Sequence, residues 1–452
     1  MTMTTLVNPE HRARLLFETL IVLFLCGLFA NAAVAADATL FDDAPPYSAD
    51  HLYSCLFARH TASGEVLGIN ALDPLFWPGT TYLLEGDSHR RALACLDEFL
   101  SSHAERKIND AVRRAILQRD LWILFDWSAQ STGNAIHNQQ QRRELQIRLA
   151  EVLRRLALTK DQLEHLPDTY AAALAAQRFP SEYDPANPTR AFLPPDLFHS
   201  GGPWVCLNSR SNSQPTAIVH LAQFYGHSRF FVFMHLPGGR QATFDFFHRL
   251  HSSREPIFLP GDRVPQLNPQ LPQFPVGTEL ALVRQLILFD NQGELIATPI
   301  TESVQIRVFH SITGGATAIN FINGPSSRDQ DFIEFHLDKR KLFANPTQAL
   351  APVATGETEY STFLSHGIDM EGPREILKSC HSCHADAGIH SVISRNVLLP
   401  PNDEIRDPEN ADPQYGAIYW ETENSLAWKS NRYDWGLLNG YWRAITPPAQ
   451  KP

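Results

Sequence analysis

The sequence predicts an α+β multidomain protein with a helical N-terminal region, a β-rich antiparallel middle region and a mostly helical or irregular C-terminal region. Three observations predict it. Apolar residues recur at helical spacing across residues 87–164. Across residues 216–336 the pattern changes to short runs of β-branched and aromatic residues, some alternating with polar ones. Two stretches separate the regions as linkers: 179–202, rich in Pro, Asp and Asn, and 345–357, with two prolines and little hydrophobic pattern. The expected division is a leader at 1–35, a helical domain at 36–200, a β-rich domain at 201–345 and a C-terminal domain at 346–452. A chain of 452 residues is long enough for two or three cores.

At the N-terminus Arg12 and Arg14 precede an apolar run at 20–30, and Ala33-x-Ala35 follows before Asp37. A positive flank, a short apolar core and small residues around a cleavage point are the pattern of a secretory leader, here cut after Ala35. Glu18, just ahead of the apolar core, keeps an uncleaved anchor open as the alternative. Phe24 and Leu25 do not suit lipid attachment at Cys26, and Arg12-Ala13-Arg14 is not a twin-arginine pair. The expected location is the periplasm or another exported compartment, with no membrane contact beyond the leader. Hydrophobic residues at 43% and charged residues at 19% fit a globular chain. The formal charge of −11, without a basic run, argues against a nucleic-acid partner and favours a basic docking patch on whatever binds.

Within the helical region, Leu93, Leu96, Phe99 and Leu100 mark a first helix, with Asp87-Ser88 able to cap it. A second, from about Lys107, carries Ile108, Val112, Ile116, Trp122 and Phe125 and ends at Ser131-Thr132-Gly133-Asn134. A third carries Leu145, Leu149, Val152, Leu153 and Leu156, its arginines forming a solvated face. Thr159-x-x-Gln162 is a capping box that starts a fourth, which Pro167 interrupts.

In the middle region, 217–221 and 230–234 read as strands. Residues 280–289 and 294–298 read as a hairpin around Asp290-Asn291-Gln292-Gly293. Val304, Ile306 and Val308 alternate with Gln305 and Arg307, and 332–336 is a further strand. His248 and His251 have a spacing that would ligate a metal on a helix, but Phe244, Phe246 and Phe247 beside them favour a strand or turn. The tail packs Trp420, Trp428, Trp435 and Trp442 close together, either as an element lying on the core or as a partial cover for a bound ring.

The stretch that carries chemistry is Cys380-His381-Ser382-Cys383-His384. Cys-x-x-Cys-His is the signature of covalent haem attachment: two thiols each add to a vinyl group, and the histidine after the second is held under the iron. A zinc site would need two further ligands at close spacing, and a thioredoxin-like pair would need a βαβ context. Over 371–390 the segment resembles that of single-haem c-type cytochromes. The resemblance implies a cytochrome c-like C-terminal domain with one covalent haem c. It implies thioethers at Cys380 and Cys383 and a proximal iron ligand at His384, and export agrees with it.

No methionine follows His384, where that family usually finds its sixth ligand. His366 and Met370 are the candidate sixth ligands, with His248, His251 or His310 as alternatives from the β-rich region and an open iron face as the last. His390 is too close in sequence to reach the opposite face. Cys55, Cys95 and Cys206 also survive leader removal, and Cys55 with Cys95 is the favoured pair. The chain holds no Gly-x-Ser-x-Gly, phosphate loop or His-Glu-x-x-His. The expected function is electron transfer with redox protein partners. The alternatives are a haem-dependent, peroxidase-like oxidoreductase and a haem-based sensor of small ligands.

Overall fold

The computed structural model describes residues 49–57, 59–60, 66–67, 82–130, 138–208, 214–252, 258–259, 266–268, 270–312, 329–359, 374–377, 384, 388–393 and 413–445. The leader, Cys380, Cys383, His366, Met370 and the 131–134 helix stop lie outside them.

Among the described residues the longer helices of the N-terminal region are α1 (Ala49–Phe57), α2 (Gly86–Ser101), α3 (Ala111–Ala129) and α4 (Gln139–Leu156). The expected Asp87-Ser88 cap is not used. Glu85 occupies the N-cap position, and the Ser88 hydroxyl instead donates to the carbonyls of Glu85, at 2.8 Å, and Tyr82. Asp110 does cap α3, accepting from the backbone N–H groups of Val112 and Arg113. From Ala115 to Ser128 every residue of α3 is buried, which is why its sequence has no clean polar face. In α4 one face is buried while Arg148 reaches Asp97 and Arg155 reaches Glu151 on the outside. The Thr159–Gln162 capping box forms at α5 (Lys160–Glu164), and after Pro167 the chain resumes as α6 (Thr169–Ala175).

A six-stranded antiparallel sheet follows. Its strands are β1 (Val205–Leu207), β2 (Ser228–His235), β3 (Glu279–Phe289), β4 (Leu295–Phe309), β5 (Gln330–Leu337) and β6 (Leu350–Pro352). Their spatial order is β6-β5-β4-β3-β2-β1. The molecule is thus a mixture of helices and antiparallel sheet, the α+β class. Side chains alternate between two covered faces. Cys206, Phe231, Phe233, Ala281 and Val283 point into one core, with Ala417 from helix α11 (Pro413–Ser430). Val205, Leu207, Met234 and Leu280 point into another, with Phe246 and Phe247 from helix α8 (Gly239–Ser252).

The β3–β4 turn forms as expected. Asp290 Oδ1 accepts from the N–H groups of Gln292 and Glu294, and Gly293 takes φ = 86°. The two strands expected at 294–298 and 304–308 are one continuous strand, β4. Pro299 is accommodated inside it because the register with β3 shifts between Gln285 and Ile287.

Three other expectations are corrected. Residues 217–221 do not form a strand: helix α7 (Ile218–Gln223) occupies them, closed by Tyr225 and Gly226 in the left-handed region. The Gly226 N–H donates to the Leu221 carbonyl at 2.9 Å, and a Cβ there would stand 2.9 Å from the Trp428 ring. His248 and the backbone of His251 lie on α8, a helix rather than a strand or turn, because the phenylalanines there fill the core under the sheet at helical spacing. Residues 345–357 are not only linker, since 350–352 pair with β5 as the edge strand β6.

Helix α9 (Lys339–Ala344) leads into β6, and past β6 the described parts of the C-terminal region include α10 (His390–Ile393), α11 and α12 (Tyr433–Ile445). Trp435 and Trp442 of α12 join the core of the N-terminal helices, with Trp122 and, from the tip of β3, Phe289. That core therefore crosses the boundaries read from the sequence near 200 and 345.

Charges are buried in the same interior. Lys429 bonds Asp126 and lies 3.1 Å from Asp434, while His227 Nε2 is 2.8 Å from Asp126. Arg119 bridges Asp120 and Glu302, both at 2.7 Å, and Lys339 reaches Asp120 at 2.6 Å. Burial pushes the Asp126 carboxyl up, against the pull of Lys429.

Candidate functional site

The segment around His384 is tied to the β-rich region. Ile389 is buried in the core under α8 that also holds Phe274 and Phe309, and its N–H donates to Gln273 Oε1 at 2.7 Å. The Ser391 hydroxyl donates to the Gly388 carbonyl at 2.8 Å and accepts from Arg307 Nη1 at 3.1 Å. Gln330 Nε2 donates to the His384 carbonyl at 2.5 Å. Arg307 and Gln330 belong to β4 and β5, so the sheet holds the histidine's backbone.

The half-buried His384 ring has a close backbone partner. Its Nδ1 lies 2.7 Å from the carbonyl oxygen of Ser391. A carbonyl only accepts, so Nδ1 carries the proton and donates, and in the neutral ring Nε2 keeps its lone pair.

Against this ring lies His220 of α7. The two ring centres are 5.9 Å apart and their planes meet at 12°. Phe230 also packs against His220, at 5.9 Å between centres. Withdrawal from water, with the positive charges of Arg307 and Arg284 adding to it, pushes His220 down to about 4. At neutral pH the ring is therefore uncharged and retains an unprotonated nitrogen. Among the described residues no group hydrogen-bonds the His220 ring. Arg284 itself stacks over Phe224 at 4.3 Å and lies 3.8 Å from Glu302.

Of the residues singled out from sequence, the structure brings His384 into this site. Cys380, Cys383, His366 and Met370 lie outside the described residues. His310 is exposed, 3.8 Å from Asp331. His248 is half-buried on α8. His220 was missed: in a short apolar run read as a strand it looks like one more core position. A helical assignment of 218–223, suggested by Pro215-Thr216 ahead and Gly226 behind, would have set it apart from Leu221.

A second cluster is not a metal site. His51 Nε2 lies 3.5 Å from Cys95 Sγ and 3.8 Å from Cys55 Sγ, but the two sulfurs are joined as the expected disulfide and so are not thiolate ligands. Cys206 is buried and unpaired, its thiol pushed well up by burial.

No protein-family model matches the chain, and neither a curated protein nor a solved structure is significantly similar to it.

Proposed function

We propose that this chain is an exported c-type cytochrome that carries one covalent haem c and transfers electrons between redox protein partners. Cys380 and Cys383 supply the thioethers and His384 the proximal iron ligand. The observation that carries the reading, beside the Cys380-x-x-Cys383-His384 spacing, is the hydrogen bond from His384 Nδ1 to the Ser391 carbonyl. Metal-ligating histidines almost always donate their second N–H to a carbonyl or carboxylate, which fixes the tautomer and aims Nε2 at the metal. The donor chemistry at His384 therefore fits haem.

Bound haem supplies an iron that exchanges one electron between Fe(II) and Fe(III). The chain's own contribution is to hold the ligand still. Gln330 fixes the His384 carbonyl, Arg307 fixes Ser391, and Ile389 is locked in the core. The Cys55–Cys95 disulfide supports export, since such bonds persist in oxidising compartments. The net charge of −11 suits a partner with a basic docking face.

The test is expression of the full chain, leader included, in a host that attaches haem c. The exported protein should keep haem on a denaturing gel, weigh one haem more than the polypeptide, and lose both properties in the Cys380→Ala/Cys383→Ala variant. Exported protein without haem would sink the reading. Turnover with peroxide would move it to the oxidoreductase alternative, and tight CO binding without turnover to the sensor.

A further inference from the structure

We propose that His220 is the second axial ligand of the haem iron, facing His384 from the opposite side; this rests on the covalent-haem reading above. Two imidazoles bound on opposite sides of one metal ion, each by a bond of about 2 Å, have ring centres roughly 6 Å apart. His220 and His384 stand at 5.9 Å with nearly parallel rings.

The surroundings of His220 suit a ligand more than a core residue. Phe230 of β2 packs against the ring, so His220 rests on a strand of the sheet. Helix α7 is fixed at its front by Thr216, whose N–H and hydroxyl both donate to the buried Glu421 of α11 at 2.8 and 2.9 Å. It is fixed behind by Gly226 under Trp428. A ligand set on such supports is positioned before the cofactor arrives. Haem also brings two propionate carboxylates, and the positive side chains acting on His220 are Arg284 and Arg307.

The assignment gives the long upstream region a purpose. Half of the axial ligation would come from residues before β2 and half from the Cys380-x-x-Cys383-His384 segment, so the haem pins the C-terminal segment to the sheet. Two histidines also set a lower potential than a histidine–methionine pair and close the iron to small ligands.

The experiment is optical and EPR spectroscopy of the purified holoprotein, wild type and variants, with and without CO. Wild type should be low-spin and indifferent to CO. His220→Ala should keep its covalent haem yet become high-spin and bind CO, and added imidazole should restore the low-spin spectrum. His220→Met, closer in volume, should show a sulfur-to-iron band and a raised potential, and it covers the case in which the alanine variant does not accumulate. His366→Ala and Met370→Ala should match wild type. A low-spin, CO-indifferent His220→Ala protein, an unchanged His220→Met spectrum, or a high-spin wild type would each overturn the assignment while leaving the haem reading intact. Wild-type protein with no covalent haem would overturn both.

Discussion

Around Asp126 buried charges are matched by opposite ones, whereas at His220 two imidazole rings lie nearly parallel with centres 5.9 Å apart. In the first region Lys429 sits between Asp126 and Asp434, with Arg432 reaching Asp434 from the outside at 2.8 Å. The Lys429 ammonium also lies over the Trp122 ring at 4.8 Å. In the second, the charges acting on His220 are those of Arg307 and Arg284, both positive. Both regions withdraw titratable groups from water, so burial by itself does not mark a functional site. What separates them is complementarity. A group whose charge is already answered serves as a strut. Two neighbouring imidazoles, with only positive charges acting on His220, do not answer each other in that way, and the iron proposed above is a partner that takes both.

The largest expected effect tests the strut. Lys429→Met leaves Asp126 buried without its lysine and Asp434 with Arg432 alone, and should cost about 3–5 kcal/mol in a denaturant titration. Pairing it with Asp126→Asn should recover part of that. A loss below about 1 kcal/mol for the single variant would remove the contrast between the two regions.

Next comes the disulfide, the other fixed link in the N-terminal helices. Replacing Cys55 and Cys95 by alanine should lower stability by about 2–4 kcal/mol, read as a reduced melting temperature. His51 and Glu98 should gain no zinc-dependent stabilisation, because a metal would need the thiolates.

The site should be cheap for the fold. In the Cys380→Ala/Cys383→Ala background, His384→Ala removes one hydrogen bond to a backbone carbonyl and should cost about 1 kcal/mol or less. An effect as large as that of Lys429→Met would make His384 a strut as well.

The smallest effect is a pH slope from His336 on β5, which burial holds below the ordinary histidine value. As pH falls through about 6.5 the unfolded chain takes up a proton that the folded His336 resists. Stability should therefore be full above that pH and decline below it. His336→Gln should flatten the decline, and an unchanged slope would assign it to other groups.

What could be read without the structure was local. The spacing of Leu145, Leu149, Val152 and Leu156 is enough for α4, since residues three and four apart share a helix face. Thr159 and Gln162 close a capping box within one turn. Asp290 to Gly293 make a turn from their own side chains and backbone. Cys380-x-x-Cys383-His384 is likewise a chemical signal carried by five adjacent residues. Fold class and one end of the candidate site come from signals of this kind.

Tertiary structure decided the rest, because it depends on groups that meet only after folding. The apolar run at 217–221 suits a strand as well as a helix by composition, with only the flanking Pro215-Thr216 and Gly226 favouring a helix; its neighbours Glu421 and Trp428, from the far end of the chain, hold the helix in place. The edge strand β6 exists because β5 offers unpaired backbone groups beside it. Trp435 and Trp442 belong to the core of helices that precede them by most of the chain's length. Above all, His220 and His384 carry no local sign of each other. Sequence periodicity reports which way a side chain faces within its own element, whereas the sheet and α11 decide which two imidazoles end up 5.9 Å apart.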